Sequence, residues 1–213
     1  MLGQLLWQGL WETLQMVFVS TAVALTLGTP LGVLLVVTSP GHLWPHRLVN
    51  QAFSALANAG RSLPFIILMV AIIPFTRLLV GTSIGTTAAI VPLSVAAIPF
   101  VARLVESALA EVDRGVIEAA QAMGASPWQI IGWVLFPEAL PALVLGATIT
   151  AISLVGYSAM AGAIGGGGLG DLAIRYGYQR FQGDVMIATV LVLLGLVQAM
   201  QWAGDWLSRR MRH

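Results

Sequence analysis

The chain has 213 residues, of which 58% are hydrophobic and 9% are charged, and its formal net charge is +1. A mean hydropathy of +0.88 excludes an ordinary soluble domain, and the near-neutral charge argues against nucleic acid as a partner. Without cysteine the chain has no disulfide or thiolate metal site, and without lysine it has no P-loop for ATP.

Five apolar segments are long enough to cross a bilayer, which takes about 20 residues per helix. Glycine and proline punctuate the gaps between them, and no internal repeat is present. We therefore predict an all-α integral membrane protein, one domain over 1–213, with five transmembrane helices. The predicted spans are 13–37, 52–75, 86–105, 139–160 and 185–206. We expect no cleaved signal peptide, because the first twelve residues carry no positive region and no cleavage motif.

Several predicted spans contain proline. Each proline removes a backbone hydrogen bond, and in hydrocarbon the freed carbonyl needs another partner or a water-filled cavity. Proline is also more common in membrane helices in general. Taken together, the prolines favour kinked helices around a hydrated pathway. They are Pro30, Pro64, Pro92, Pro99 and Pro141.

One charged residue lies within the second predicted span. Arg61 precedes Pro64 by three residues, and an arginine at mid-span costs on the order of 3 kcal/mol, less if it reaches an interface. Arg61 therefore pairs with a group such as Glu106 or a lipid phosphate, marks the inner end of its span, or lines a pathway. We take Arg61 and Pro64 as candidate pathway residues.

A polar segment, 111–137, separates the third and fourth spans and has the pattern of a helical hairpin. Its first helix places Val116, Ala120 and Met123 on one stripe. Gly124 ends that helix, because glycine adopts the left-handed backbone conformation of a helix C-cap without steric cost.

Ser126 begins the second helix of the hairpin. Its hydroxyl can cap the helix, Pro127 suits the first helical position, and Gln129 completes a capping box. The segment therefore predicts helix, glycine turn and helix. Such a polar unit must face water and a partner.

The fourth span carries the few polar side chains that could line a pathway. Ser153, Tyr157, Ser158 and Met160 approach the side opposite the hairpin. Tyr157 and Met160 are three residues apart and share a helix face, which either packs internally or contacts an apolar amino-acid side chain. We take all four as candidate pathway residues.

No catalytic, cofactor or metal site is predicted. The segment from Gly165 to Gly170 matches GxGxxG, but no strand precedes it, so it predicts a loop. His42 and His46 are separated by Pro45, which breaks the helix that would align them.

Arginine placement predicts the orientation. With the hairpin in the cytoplasm, most arginines lie inside, in agreement with the positive-inside rule, and the N-terminus lies outside with the C-terminus in the cytoplasm. The inner set is Arg47, Arg103, Arg114, Arg209, Arg210 and Arg212, and the outer set is Arg77, Arg175 and Arg180.

The hairpin resembles the cytoplasmic EAA loop of ABC importer permeases. Glu-Ala-Ala at 118–120, then three residues, Gly124, nine residues and Val-Leu-Phe-Pro at 134–137 keep the spacing of that loop. Val134 and Phe136 replace its isoleucine and leucine and keep both positions apolar. The resemblance implies docking on a separate ATPase subunit. The docking residues are then Glu118, Ala119, Ala120, Met123, Gly124 and Pro137.

Three further segments, 61–77, 80–85 and 155–162, are similar to the permease subunit of bacterial methionine importers. This resemblance implies a homodimer in the bacterial inner membrane that imports L- or D-methionine by alternating access. It implies two ATPase subunits, which bind ATP and magnesium, and a periplasmic or lipid-anchored substrate-binding protein. The chain itself is then neither an enzyme nor a holder of cofactors.

Two other classes of function stay open at this point. One is a secondary transporter or channel that needs no ATP, for which the spans offer few ion-coupling groups beyond Arg61 and Glu106. The other is a membrane scaffold whose hairpin recruits a soluble partner without transport.

Overall fold

The structure, a computed structural model, describes residues 2–211. These residues form ten α-helices and two short π-helical segments, without any β-strand among them. Four helical segments are long and apolar enough to cross a membrane, and a bent pair of helices near residue 63 makes a fifth if it counts as one span. The prediction of an all-α membrane fold is confirmed.

The centre of the core is the contact between α1 (Leu2–Val37) and α5 (Thr86–Ala110), which pack along most of their lengths. Gly28 and Gly32 allow the close approach: a Cβ atom added at Gly32 would lie 2.6 Å from the Ala102 carbonyl oxygen. Small residues four apart let the backbones of membrane helices come together. This contact is the frame on which the other helices pack.

The second predicted span, 52–75, is not one continuous helix. α2 (Arg47–Ser62) and α3 (Phe65–Ala71) meet at a bend of 100°. Pro64 provides no amide hydrogen for the helix, and the residue before a proline is driven to extended angles, as Leu63 is with φ −82° and ψ 126°. The proline therefore ends α2 instead of kinking it.

Three further short helices lie between α3 and residue 131. α4 (Ile73–Val80) follows α3 and ends at Gly81, whose φ is +78°. α6 (Arg114–Ala122) and α7 (Pro127–Ile130) form the hairpin.

α7 runs without interruption into α8 (Phe136–Ala163) through a π-helical segment, Ile131–Leu135. In that segment the amide of Phe136 donates to the Ile131 carbonyl, five residues back. The wider turn precedes Pro137, which has no amide hydrogen to continue an ordinary ladder. The result is one long rod from the hairpin to the opposite end of the bundle.

The glycine-rich segment after α8 forms a turn and then α9 (Gly168–Leu172), so the GxGxxG match has no strand beside it. Side chains of α1 cap this short helix. Glu12 Oε2 accepts from the Gly168 amide at 2.7 Å, and Thr13 Oγ1 accepts from the Leu169 amide at 2.9 Å. These bonds close the end of the bundle away from the hairpin.

α10 (Gly183–Arg210) lies at the edge of the bundle and packs on α8. Ser208 Oγ donates to the Pro141 carbonyl at 3.1 Å, which places the end of α10 beside the start of α8. Arg209 and Arg210 therefore lie on the hairpin side. Arg212, predicted to lie with them, is outside the described residues.

Candidate functional site

The first helix of the hairpin rests on the bundle through Ile117 and Ala120, which are buried. Val116 and Met123 are exposed, Met123 by 83%, so of the predicted stripe only Ala120 packs against the bundle. Burying isoleucine removes more apolar area from water than burying valine, which favours the observed face. The exposed Met123 is thus available to a partner.

The turn between the two hairpin helices has the geometry predicted for Gly124. Its φ is +84°, its amide donates to the Gln121 carbonyl at 2.9 Å, and the Ala125 amide donates to the Ala120 carbonyl at 3.1 Å. This pair of bonds is a Schellman motif, which satisfies the last carbonyls of α6. A Cβ at Gly124 would meet no neighbouring atom, so the backbone conformation alone requires glycine.

The predicted capping box of the second hairpin helix is confirmed. Ser126 Oγ accepts from the Gln129 amide at 3.4 Å, and Gln129 Oε1 accepts from the Ser126 amide at 2.8 Å. Pro127 occupies the first helical position. Local sequence therefore stabilises both the turn and the helix that follows it.

The residues predicted to dock fall into two groups. Five of them are exposed to solvent, whereas Ala120 is 5% exposed and packs against the bundle. Ala120 therefore holds α6 against the bundle. The exposed five are Glu118, Ala119, Met123, Gly124 and Pro137.

The base of the hairpin packs on the loop between α1 and α2. Arg114 Nη2 donates to the Gly41 carbonyl at 3.4 Å, and the rings of Trp44 and Trp128 meet edge to face at 5.2 Å. Burial, and next the positive charge of Arg114, lower the pKa of His42 below its ordinary value of 6.5. The hairpin is therefore held to the bundle on a second side.

A cavity of about 210 Å³ lies where α2, α3, α5 and α8 meet; we call it the Arg61 cavity. Arg61 enters it from the last turn of α2, 5.9 Å from the centroid of the Phe100 ring. Tyr157 of α8 stacks on Phe65 of α3, with ring centroids 4.8 Å apart and planes 4° from parallel. Ser153 lies on the same wall. The cavity thus combines one cation, hydroxyl groups and aromatic rings.

The structure brings Arg61, Ser153 and Tyr157 of the predicted pathway together, and leaves three residues elsewhere. Pro64 shapes the bend between α2 and α3 without lining the cavity. Ser158 is 2% exposed and donates to the Val155 carbonyl at 2.8 Å, and Met160 is exposed away from the cavity. Tyr157 lines the cavity through its contact with Phe65 of α3, whereas Met160, three residues later, makes no contact with the cavity.

Arg61 does not pair with Glu106. Arg103 takes that carboxylate instead, with Nη1 at 2.5 Å from Glu106 Oε2. Arg103 also donates to the Ser54 carbonyl at 3.0 Å and to Asn58 Oδ1 at 2.9 Å, which ties α5 to α2 below the cavity. Arg103 and Glu106 are three apart on one helix, which explains why they meet.

Sequence analysis missed several residues of the cavity. Thr150 lies three and seven residues before Ser153 and Tyr157, a spacing that places all three on one helix face, so extending that face by one turn would have found it. Phe65 and Phe100 had no such signal. They reach the cavity only through the bend at Pro64 and the packing of α5.

Comparison with known proteins agrees with this arrangement. Residues 28–213 match the family described as binding-protein-dependent transport system inner membrane component. The chain is 57% identical over 211 residues to the probable D-methionine transport system permease protein MetI of Vibrio cholerae, across 99% of this chain and 94% of that protein. It is 59% identical over 158 residues to the D-methionine permease MetI of Escherichia coli K12, across 74% and 73%.

The fold has a close match among solved structures. A chain of the MetNI methionine ABC transporter, in crystals of its inward-facing conformations, aligns with a TM-score of 0.97. The two chains are 53% identical, and the alignment covers 99% of this chain and 97% of that one. The chain therefore belongs to the family of inner membrane components of binding-protein-dependent transport systems.

Proposed function

We propose that this chain is the membrane subunit of an ATP-driven importer that carries methionine, as the L or D isomer, across the bacterial inner membrane. One observation carries the proposal: a single rod, from α7 through α8, joins the exposed hairpin to the wall of the Arg61 cavity. Relatives named as D-methionine permeases support the substrate. ATP and magnesium bind a separate ATPase subunit, so the chain is not an enzyme.

The ATPase docks on the side chains of the hairpin that point away from the bundle. Glu118, Ala119 and Met123 supply the contact surface, and the buried Ala120 keeps α6 in place beneath them. Gly124 sets the angle between the two hairpin helices through its left-handed backbone. An exposed methionine beside a carboxylate suits a partner groove that is apolar with a polar rim.

Motion of the ATPase passes along the rod. α7, the π segment and α8 form one unbroken helical unit, so displacement of the hairpin also moves Ser153 and Tyr157. Pro137, at the end of the π segment, marks the place where the rod can flex. The hairpin thus acts as a mechanical link between ATP hydrolysis and the cavity.

The permease works as a homodimer. One face of α2 carries exposed small and polar side chains at membrane depth, where an amide or hydroxyl facing lipid is unfavourable. A second copy covers this face and encloses a hydrated path between the subunits. The residues of the face are Gln51, Ala55, Asn58, Ala59 and Ser62.

The hairpin and the end of α10 lie in the cytoplasm, and the start of α1 lies outside. Five arginines on the hairpin side against three on the other side support this orientation. The outer face receives methionine from a periplasmic or lipid-anchored binding protein. The inner arginines are Arg47, Arg103, Arg114, Arg209 and Arg210, and the outer ones are Arg77, Arg175 and Arg180.

Transport follows alternating access. ATP binding brings the two ATPase subunits together, the paired hairpins approach each other, and the cavity opens outward to receive substrate. Hydrolysis and release of products return it to the inward-facing state. The matched MetNI crystals represent inward-facing conformations, and the present chain shares that fold.

Uptake of labelled methionine into proteoliposomes tests the function. We expect uptake only when the permease, its ATPase, the binding protein and ATP are all present. Uptake driven by an ion gradient alone would instead identify a secondary transporter, and absence of uptake with every component present would favour a scaffold.

Cysteine labelling tests the orientation, because the chain has no cysteine of its own. Met123→Cys and Phe181→Cys lie at opposite ends of the bundle, and both side chains are exposed. In intact cells a membrane-impermeant maleimide should label Phe181→Cys and spare Met123→Cys. Labelling of Met123→Cys from outside would contradict a cytoplasmic hairpin.

A further inference from the structure

The Arg61 cavity has the size of a site for one small molecule. Its volume of about 210 Å³ exceeds the roughly 150 Å³ of an engineered apolar cavity that binds benzene, so it has room for a small molecule. With Arg47 at the inner face of the membrane, as proposed above, Arg61 lies 14 residues farther, or about 21 Å along α2, within a hydrocarbon core about 30 Å thick.

One side of the cavity is prepared for an anion. The ion pairs found among residues 2–211 join Arg103 to Glu106 and Arg175 to Asp171, so Arg61 has no carboxylate partner in the described part of the chain. An arginine at membrane depth marks a substrate path in the absence of a structural partner. Its planar guanidinium matches a carboxylate with two parallel hydrogen bonds.

The opposite wall is prepared for a cation that donates hydrogen bonds. Thr150 Oγ1 donates its hydrogen to the Gly146 carbonyl at 2.8 Å, and Ser153 Oγ donates to the Ile149 carbonyl at 2.8 Å. Each hydroxyl has a single hydrogen, so both oxygens are left as acceptors. An ammonium group has donors and no acceptor, and therefore fits the Ser153 oxygen, whereas Thr150 is only 1% exposed and lies out of its reach.

The remaining wall selects an apolar side chain. Phe65 and Tyr157 present a stacked pair of rings, and Phe100 and Leu154 complete an apolar lining. Thioether sulfur packs favourably against aromatic rings. No carboxylate of residues 2–211 lines the cavity, so it has no partner for a substrate whose side chain carries a positive charge.

We propose that the Arg61 cavity is an intramembrane binding site for a zwitterionic amino acid with an apolar side chain. Arg61 binds the carboxylate, Ser153 accepts a hydrogen bond from the ammonium group, and Phe65 with Tyr157 contacts the side chain. The proposal rests on the proposed function and adds that the membrane subunit, besides any delivering protein, selects the substrate.

Equilibrium binding to the purified complex of permease and ATPase, without binding protein, tests the site. The probes are L-methionine, its methyl ester, which lacks the carboxylate charge, and 4-(methylthio)butanoate, which lacks the ammonium group. The unaltered complex should bind L-methionine at least tenfold more tightly than either analogue. Arg61→Gln should lower the affinity for L-methionine at least tenfold and abolish the preference over the ester.

Ser153→Ala provides an independent variant that keeps the volume of the wall nearly unchanged. It should weaken binding of L-methionine several-fold and leave binding of the deaminated analogue unaltered. Arg77→Gln is the matched control, because Arg77 lies outside the cavity and bonds to Ser83 Oγ at 3.2 Å. It should bind all three probes like the unaltered complex. A methionine site on the ATPase would be affected by none of these substitutions.

Two results would overturn the site. One is an Arg61→Gln complex that elutes intact with its ATPase and binds the three probes like the unaltered complex. The other is an unaltered complex without saturable L-methionine binding. If ATP-driven uptake is normal, either result refutes the binding site and leaves the proposed function intact. Absence of methionine uptake by the unaltered system would refute the proposed function.

Discussion

The hairpin and the Arg61 cavity are built by opposite means. Every bond that shapes the hairpin turn and cap joins residues at most five apart, such as Ser126 with Gln129 and Ala120 with Ala125. The cavity joins Arg61 to Tyr157, almost a hundred positions later, through four helices. The hairpin, on which we propose that the ATPase docks, is therefore encoded locally, whereas the cavity depends on the packing of the whole bundle.

The largest expected effect comes from disrupting the packing of α1 on α5 while leaving the hairpin unchanged. Gly32→Val would place a Cβ 2.6 Å from the Ala102 carbonyl oxygen and from Val105 Cβ, and backbone cannot move aside as a side chain can. Overpacking typically costs about 1–3 kcal/mol, and we expect at least that loss here. Thermal unfolding in detergent should show a much lower midpoint, with aggregation on size exclusion.

Gly195→Val is the matched control for this change. Gly195 lies in α10, and a Cβ there would meet no atom within 4 Å. We expect its unfolding midpoint to stay close to that of the unaltered protein. If Gly32→Val and Gly195→Val unfold at the same temperature, close packing of α1 on α5 does not hold the bundle together.

The next largest effect is expected from disrupting the hairpin turn while leaving the packing of the bundle unchanged. Gly124→Val forces a β-branched residue to φ +84°, at a local cost of about 1–3 kcal/mol. We expect co-purification of the ATPase and ATP-driven uptake to fall at least tenfold, while the bundle unfolds at nearly its usual temperature.

Gly124→Asn sharpens the same test, because asparagine tolerates the left-handed region. It should restore most of the ATPase binding that valine removes. Full ATPase binding and normal uptake by Gly124→Val would contradict the docking role of the hairpin.

The smallest effect is a pH dependence at the base of the hairpin. The pKa of His42 is lowered in the folded chain, so the unfolded chain binds the proton more readily. The contribution of neutral His42 to stability is complete above the pKa of the unfolded chain, about 6.5, and is lost as the pH falls through the lower pKa of the folded chain. The protection factors of the hairpin amides against hydrogen exchange should therefore fall below pH 6.5, relative to those of the bundle.

His42→Asn keeps a polar side chain and removes the titration. In this variant the protection of the hairpin amides should stay constant as the pH falls from 7.5 to below 6.5. An unchanged pH profile in His42→Asn would assign the effect to another group.

Sequence reasoning succeeded wherever neighbours along the chain decide the conformation. The glycine turn at Gly124 and the capping box of Ser126 with Gln129 follow from backbone sterics and short-range bonds. The apolar runs determined an all-α membrane protein, because only helices satisfy the backbone of such segments in lipid. The buried face of α6 was not predicted, since Val116 and Ile117 both suit an apolar stripe and only the bundle selects between them.

The sequence by itself thus determined the all-α membrane class, the turn and cap of the hairpin, and the family to which the chain belongs. Only the tertiary structure decided that Pro64 bends the chain by 100°, that Glu106 pairs with Arg103, and that Arg61 faces Ser153 and Tyr157. The physical reason is range: caps and periodicity act over a few residues, whereas a cavity exists only where distant helices meet.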